Sequence, residues 1–321
     1  VSVKCMFTAI KDKEYFEKIK EQNLAVKKYL IENINNIGFR AYNSEANFIL
    51  CDFGDNLEFY YNKFKNHGII TAKFPFNPNF STCLRITVPK ESGAKFILEL
   101  LKPKDLLIFS LDNTLINPKK SYEEALVKTF EHFSKFKISY EKIKETKYLL
   151  KSSYFEAIKN LLEENYISAD IFKIKEVFEN IFYNPKIPQN DYLINNDELI
   201  IPKEILERLS INYDIAVVSE RKAEEVEYSL KKTGIENLIS YIQAESFEIE
   251  QILKKCSYKK AKLLSSELSA IHFAKTTKAE VIGFVYEDNN DNNIINNFKH
   301  FGVDEIILNK DEFIEYFGLF S

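Results

Sequence analysis

Two hydrophobic patterns alternate along the chain, one with helical spacing and one of short continuous runs. Apolar residues recur at helical spacing from Asp12 to Asn35, and Gly38 follows as a C-terminal stop. Short apolar runs predict strands at 46–51, 69–71 and 84–88, and helices are predicted at 57–66 and 91–101. This order predicts a small α/β domain over residues 1–103.

A second series of apolar runs begins at Asp105. Residues 106–109, 214–218 and 281–286 are rich in branched and aromatic side chains, as in parallel strands that are buried on both faces. Between the first two runs, residues 121–182 show only helical spacing. We therefore predict a second α/β domain, residues 104–321, with a doubly wound parallel sheet. Its core is residues 104–117 and 200–321, and residues 118–199 form an inserted helical cap.

Composition excludes several classes of protein. The chain has 321 residues, 45% of them apolar, and a net charge of −4 with scattered charges, so we expect no nucleic-acid partner. No apolar segment reaches the roughly 20 residues that cross a bilayer, and the N-terminus has no signal pattern, so we expect a cytoplasmic protein without a membrane partner. The four cysteines have no metal-ligand spacing and are predicted to be buried thiols.

Polar residues follow the predicted buried strands. Ser110, Asp112 and Thr114 come directly after the first strand, and Ser219 ends the second. Ligands of open α/β sheets bind beyond the carboxyl ends of such strands, so we expect chemistry at this edge. The alternative for Ser219 is a hydroxyl that caps the helix beginning near Lys222.

The run Asp105–Ile116 resembles the first motif, hhhhDxDxT, of the haloacid dehalogenase superfamily of phosphate-transfer enzymes. The resemblance implies a phosphatase that acts on a small phosphorylated metabolite with Mg²⁺. In the family the first Asp of the motif attacks phosphorus and binds the metal, but here that position is Ser110. Asp112 matches the acid/base residue, and Ser219 matches the hydroxyl of the second motif that contacts the phosphoryl group.

Two further motifs are assigned by the same resemblance. Lys262 fits the spacing of the family's lysine best, with Lys259 and Lys260 as neighbouring choices, although the accompanying proline is absent. The alternative is a solvated lysine cluster. Asp288 and Asp291 match the acidic fourth motif, and with Asp112 they are the predicted Mg²⁺ ligands.

The first hundred residues resemble the C-terminal small domain of the histidinol-phosphate branch of the pyridoxal-phosphate aminotransferases. The resemblance rests on the runs 44–50, 66–69 and 84–88, and it implies that Arg85 and Asn47 bind substrate. The family's cofactor lysine and phosphate cradle lie in a large domain that would precede Val1. We therefore expect pyridoxal phosphate only with such an upstream domain, and a homodimer in that case. The alternative for Arg85 is an arginine paired with an acidic neighbour.

Three functional hypotheses follow. The first is an aminotransferase small domain joined to a haloacid-dehalogenase-like domain whose phosphatase chemistry is impaired at Ser110. Because one family makes histidinol phosphate and a phosphatase acts on it next, this pairing suggests histidine biosynthesis. The second is an active Mg²⁺-dependent phosphatase, and the third is a non-catalytic phosphate-binding or regulatory module.

Overall fold

The computed structural model describes residues 12–74, 76–133, 138, 140–144, 154–286 and 292–319. It divides into two compact units. The first runs to Pro103 and includes Lys254–Ser257, and the second comprises Lys104–Leu253 and Tyr258–Ser321.

In its described residues, the first unit is an antiparallel sheet with three α-helices. The long first helix begins at Asp12, whose carboxylate accepts a hydrogen bond from the Tyr15 amide at 3.0 Å, and it ends at Gly38 in a left-handed conformation (φ 109°). The strand order is β1-β2-β4-β3. The third strand lies at 72–73, three residues later than predicted. The elements are α1 (Lys13–Ile37), β1 (Arg40–Tyr42), β2 (Phe48–Asp52), α2 (Leu57–Asn66), β3 (Ala72–Lys73), β4 (Cys83–Thr87) and α3 (Glu91–Leu101).

The second unit is built on a six-stranded parallel sheet with the order β12-β11-β10-β5-β8-β9. Its strands are β5 (Lys104–Ser110), β8 (Tyr213–Val218), β9 (Ile239–Gln243), β10 (Tyr258–Ser265), β11 (Glu280–Phe284) and β12 (Glu305–Ile307). The helices between them are α8 (Lys203–Asn212), α9 (Ala223–Lys232), α10 (Ile249–Lys255), α11 (Leu268–Ala274) and α12 (Asn292–His300), and α13 (Lys310–Tyr316) follows the last strand.

Strand β5 is the centre of this sheet. Leu106, Leu107, Ile108 and Phe109 have no exposed surface, and burying each such side chain contributes about 1.5–3 kcal/mol. The predicted parallel sheet, with β5 buried on both faces, is confirmed.

Strand β10 was not predicted, and it is the neighbour of β5. Its first five residues include Lys259, Lys260 and Lys262 and are mostly partly or fully exposed, whereas Leu263 and Leu264 are fully buried. The lysines suggested the start of a helix, because half of the strand lacks the apolar continuity of a buried parallel strand.

The helical cap lies between β5 and β8. Its helices pack on a core of aromatic side chains that includes Tyr122, Tyr154, Phe178 and Phe182. A short antiparallel pair joins the two ends of the cap, with Ile116 opposite Leu199. The elements are β6 (Ile116–Asn117), α4 (Lys119–His132), α5 (Tyr140–Lys144), α6 (Tyr154–Glu164), α7 (Ile171–Phe182) and β7 (Glu198–Leu199).

The described cysteines are the buried thiols that the sequence predicts. Cys51, Cys83 and Cys256 are free thiols and are buried, whereas Cys5 lies outside the described residues. Within the described ranges, no helix combines the length and apolar character that a bilayer crossing requires.

Gly283 in β11 lies against α12, so a larger residue at this position tests the packing of that helix on the sheet. A Cβ atom at this position would lie 2.6 Å from the ring of Phe298, which is buried. We expect Gly283→Ala to lower the free energy of unfolding by about 1–3 kcal/mol, measured by urea denaturation, because the ring has to move. The control is Ile211→Ala on α8, where the side chain is 69% exposed. Equal stabilities of the two variants would contradict this account.

Candidate active site

The carboxyl ends of β5, β8 and β10 meet at one edge of the sheet. In the parallel ladders Ser110 pairs with Val218, and Phe109 pairs with Leu264. The residues that follow each strand are therefore neighbours. They are Asp112 after β5, Ser219 after β8, and Ser266 after β10.

A cluster of hydroxyl groups occupies the β5 and β10 ends. The Ser265 hydroxyl donates to Ser110 Oγ at 2.8 Å, and Ser110 Oγ lies 2.7 Å from Thr114 Oγ1. Thr114 Oγ1 accepts from the Ser266 amide at 3.0 Å, and the Ser266 hydroxyl donates to the Asn113 carbonyl at 2.9 Å. Ser110, Thr114 and Ser265 are fully buried. The position of the predicted nucleophile is thus part of a neutral network that satisfies its own hydrogen bonds.

Asp112 is held by an arginine that the sequence analysis did not identify. The Arg221 Nη2 atom lies 2.5 Å from Asp112 Oδ1, and Arg221 Nε donates to Asp112 Oδ2 at 3.1 Å. The Tyr122 hydroxyl donates to the same Oδ2 at 2.7 Å. Asp112 Oδ2 therefore accepts two hydrogen bonds, whereas Oδ1 contacts Arg221 Nη2 as an ion pair without hydrogen-bond geometry.

Asp197 binds the other side of the same guanidinium. Arg221 Nη1 lies 2.6 Å from Asp197 Oδ2 and 3.1 Å from the Ser229 hydroxyl. The Ser121 hydroxyl donates to Asp197 Oδ1 at 2.5 Å. Arg221 and Asp197 have no exposed surface, so this is a buried carboxylate–arginine–carboxylate triad.

The triad keeps its arginine charged. Burial lowers the pKa of the Arg221 guanidinium, but the charges of Asp112 and Asp197 outweigh this effect and raise it well above its ordinary value. Burial also raises the pKa of Tyr122 well above its ordinary value, so the tyrosine is a neutral donor to Asp112.

Ser219 lies at the edge as predicted, but its hydroxyl has a local partner. Ser219 Oγ accepts a hydrogen bond from the Arg221 amide at 3.1 Å, and the Ser219 amide donates to Gln243 at 2.9 Å. The hydroxyl thus shapes the turn that delivers Arg221. Its role as a phosphate contact stays a prediction.

The structure does not bring Lys262 to this edge. Lys262 lies three residues before the end of β10, which is about 10 Å along the strand. Its ammonium contacts Glu280 Oε2 and the Tyr316 hydroxyl, each at 2.6 Å. The assignment of the family's lysine to this position is corrected, because the residue belongs to a strand and not to a helix start. Lys259 and Lys260 lie earlier in the same strand and are exposed.

Asp288 and Asp291, the predicted acidic motif, lie outside the described residues, so their role stays a prediction. The strand before them is β11, which β10 separates from β5. The residues that share an edge with Ser110 follow β10 and read Ser265-Ser266-Glu267. The signal that could have located them is the short apolar pair Leu263-Leu264, followed by polar residues.

The described part of this edge does not fit Mg²⁺. Ser110 and Ser266 offer neutral hydroxyls. Asp112 Oδ2 accepts hydrogen bonds from Arg221 and Tyr122, and Oδ1, which has no hydrogen bond, lies against the positive charge of Arg221. A magnesium ion prefers several hard, charged oxygen ligands in octahedral array. Among the described residues, no group of three or more acidic, histidine or cysteine side chains is placed to hold a metal.

A cleft lies beside the edge, between the cap and the loops after β8 and β9. It has a volume of about 230 Å³. Its lining does not include Ser110 or Asp112, so this cleft does not open onto the hydroxyl cluster. The lining residues are Tyr154, Phe155, Phe172, Lys175, Glu220 and Glu245.

Arg85 and Asn47 belong to the first unit. Arg85 is on the exposed side of β4, and its guanidinium lies 5.6 Å from the centroid of the Phe48 ring. Asn47 is exposed, and its carbonyl accepts a hydrogen bond from the Val88 amide at 2.9 Å. Their roles in substrate binding stay predictions.

Glu225 is a buried carboxyl that interacts with Arg221 of the triad, and its pKa is raised. Burial raises the pKa of this carboxyl to about 7, although the charge of Arg221 and the Lys222 amide oppose the shift. The folded protein therefore holds a proton that the unfolded chain releases near pH 4.5. The contribution of this proton to the free energy of unfolding is lost as pH rises from about 4.5 through about 7.

We expect the free energy of unfolding of Glu225→Gln to rise relative to that of the natural chain, by up to about 3 kcal/mol, between about pH 5 and pH 8. The measurement is urea denaturation at each pH. Glu227→Gln, on the exposed side of α9, is the control. A pH-independent difference between Glu225→Gln and the natural chain would contradict this shift.

Known proteins resemble this chain in part of its sequence and in its fold. The family model of the haloacid dehalogenase-like hydrolases matches residues 107–254. A candidate phosphatase from Clostridium difficile is 18% identical with a TM-score of 0.51, covering 67% of this chain and 99% of its own. A predicted phosphatase from Clostridium acetobutylicum is 12% identical, also with a TM-score of 0.51, and covers 68% of this chain and 100% of its own. No curated protein matches the chain by sequence. At these identities the structures show similarity of fold, and the family match covers just under half of the chain.

Proposed function

We propose that this domain belongs to the phosphate-ester hydrolases by descent and that its own hydrolysis is impaired. The observation that carries the proposal is the side chain at position 110, a serine whose hydroxyl partners are Thr114 and Ser265. The family reaction needs a carboxylate here, both to attack phosphorus and to bind the metal. A buried hydroxyl among hydroxyls supplies neither function.

Serine chemistry does not replace the missing carboxylate at this edge. A serine becomes a nucleophile when an adjacent base removes its proton. The partners of Ser110 are two hydroxyls, and the nearby acid Asp112 is engaged by Arg221 and Tyr122. Any phosphoserine that formed would be a stable ester, whereas an aspartyl phosphate is an anhydride that water hydrolyses. Turnover would therefore stop after one event.

For the first unit, we retain the aminotransferase small domain as a proposal. The three sequence motifs support it, and the exposed side of β4 leaves the Arg85 guanidinium available to a carboxylate. An upstream large domain would have to supply the cofactor lysine. A link to histidinol phosphate rests on the pairing of the two resemblances, and phosphorylated metabolites are its expected partners.

The test is phosphate release from para-nitrophenyl phosphate and histidinol phosphate with Mg²⁺. We expect the natural chain and Ser110→Ala to show the same background rate, because Ser110 is not a working nucleophile. Intact-mass measurement after incubation should show no phosphate on either protein.

Two outcomes would contradict the proposal. One is a natural chain with turnover typical of phosphatases, with kcat of about 1 s⁻¹ or more. The other is a rate that Ser110→Ala abolishes, which would make the serine a functional nucleophile. Protection of an inactive chain against thermal unfolding by a phosphate analogue would instead favour the phosphate-binding module.

A further inference from the structure

A single buried guanidinium connects both chain crossings between the core and the cap. The first crossing carries Asp112 and Tyr122, and the second carries Phe182 and Asp197. The central carbon of Arg221 also lies 4.9 Å from the centroid of the Phe182 ring and 5.3 Å from that of Tyr122. One side chain of the core therefore contacts the start of α4, the end of α7 and the segment that leaves the cap.

The arrangement uses all three nitrogens of Arg221. Nε and Nη2 face Asp112, and Nη1 faces Asp197 and Ser229. Because the guanidinium is a rigid planar fork, it fixes the two carboxylates relative to each other. Removing one partner of such a triad leaves an uncompensated buried charge, so the triad resists opening.

We propose that Arg221 is a positioning residue that locks the helical cap onto the sheet edge and withholds Asp112 from metal and substrate. This inference rests on the proposed loss of hydrolysis and goes beyond it. The missing carboxylate at position 110 is one obstacle to hydrolysis, and the pairing of Asp112 with Arg221 is a second, independent obstacle. The Arg221 guanidinium supplies the positive charge beside Asp112 that a bound metal ion would otherwise supply.

The Arg221 lock predicts two effects that a serine at position 110 would not produce by itself. First, the cap should stay closed on the core, so amides of α4 and α7 should exchange slowly. Second, returning a carboxylate to position 110 should not by itself create a magnesium site, because Asp112 remains bound to Arg221.

The first experiment measures cap opening by hydrogen exchange with mass spectrometry. We compare the natural chain with Arg221→Met/Asp197→Asn, which removes the guanidinium together with one carboxylate and leaves Asp112 with the Tyr122 hydroxyl as its donor. We expect exchange in Lys119–His132 and Ile171–Phe182 to become at least about tenfold faster, with β5 unchanged. Lys231→Met, an exposed site on α9, is the control and should have no effect.

Arg221→Lys provides a second variant in case the double variant does not fold. It keeps the positive charge but cannot contact Asp112 and Asp197 as a fork, so cap exchange should again accelerate. Cap exchange at the natural rate in whichever variant folds would overturn the lock.

The second experiment measures the effect of Mg²⁺ on Tm in Ser110→Asp, alone and combined with Arg221→Met/Asp197→Asn. We expect Mg²⁺ to leave the Tm of the single variant unchanged and to raise that of the combined variant. If Mg²⁺ already raises the Tm of Ser110→Asp, Asp112 is accessible and the inference is overturned, while the proposed loss of hydrolysis stays intact. Hydrolysis by the natural chain would instead refute the proposed function, whatever the exchange data show.

Discussion

The buried charge of Arg221 sets the conditions for the whole sheet edge. A guanidinium without solvent access has to be compensated, and Asp112 and Asp197 do so from two directions. Asp112 comes from the turn after β5, Asp197 from the segment that leaves the cap, and Arg221 from the turn after β8. The ion pairs of Arg221 therefore determine three features together. These are the position of the cap, the orientation of Asp112 and the shape of the turn after β8.

The neutral cluster beside the triad completes this picture. Ser110, Thr114 and Ser265 form a continuous set of hydroxyl contacts at the ends of β5 and β10. Hydroxyls carry no net charge, so they add none to the adjacent triad, in which one guanidinium faces two carboxylates. The hydroxyl cluster and the triad together occupy the edge where the resemblance implies a nucleophilic carboxylate.

The sequence predicted the features that depend on local patterns. The apolar run 106–109 identified β5 as a buried parallel strand, and the polar residues after it located the edge. Sequence could not place Arg221, because it appears as one charged residue in a turn, and its partner Asp197 is 24 positions away. Strand β10 was missed because its lysine-rich half is exposed, so the acidic motif was sought after β11. The order of strands in the sheet is a long-range property, and it makes β10 rather than β11 the neighbour of β5.

The central proposal is that Arg221 and Tyr122 hold Asp112 so that this edge does not bind a divalent cation through it. Titration of the natural chain with Mn²⁺, followed by electron paramagnetic resonance and compared with Asp112→Asn, tests it directly. The account predicts identical titration curves for the two proteins. A bound Mn²⁺ signal that is present in the natural chain and lost in Asp112→Asn would contradict it.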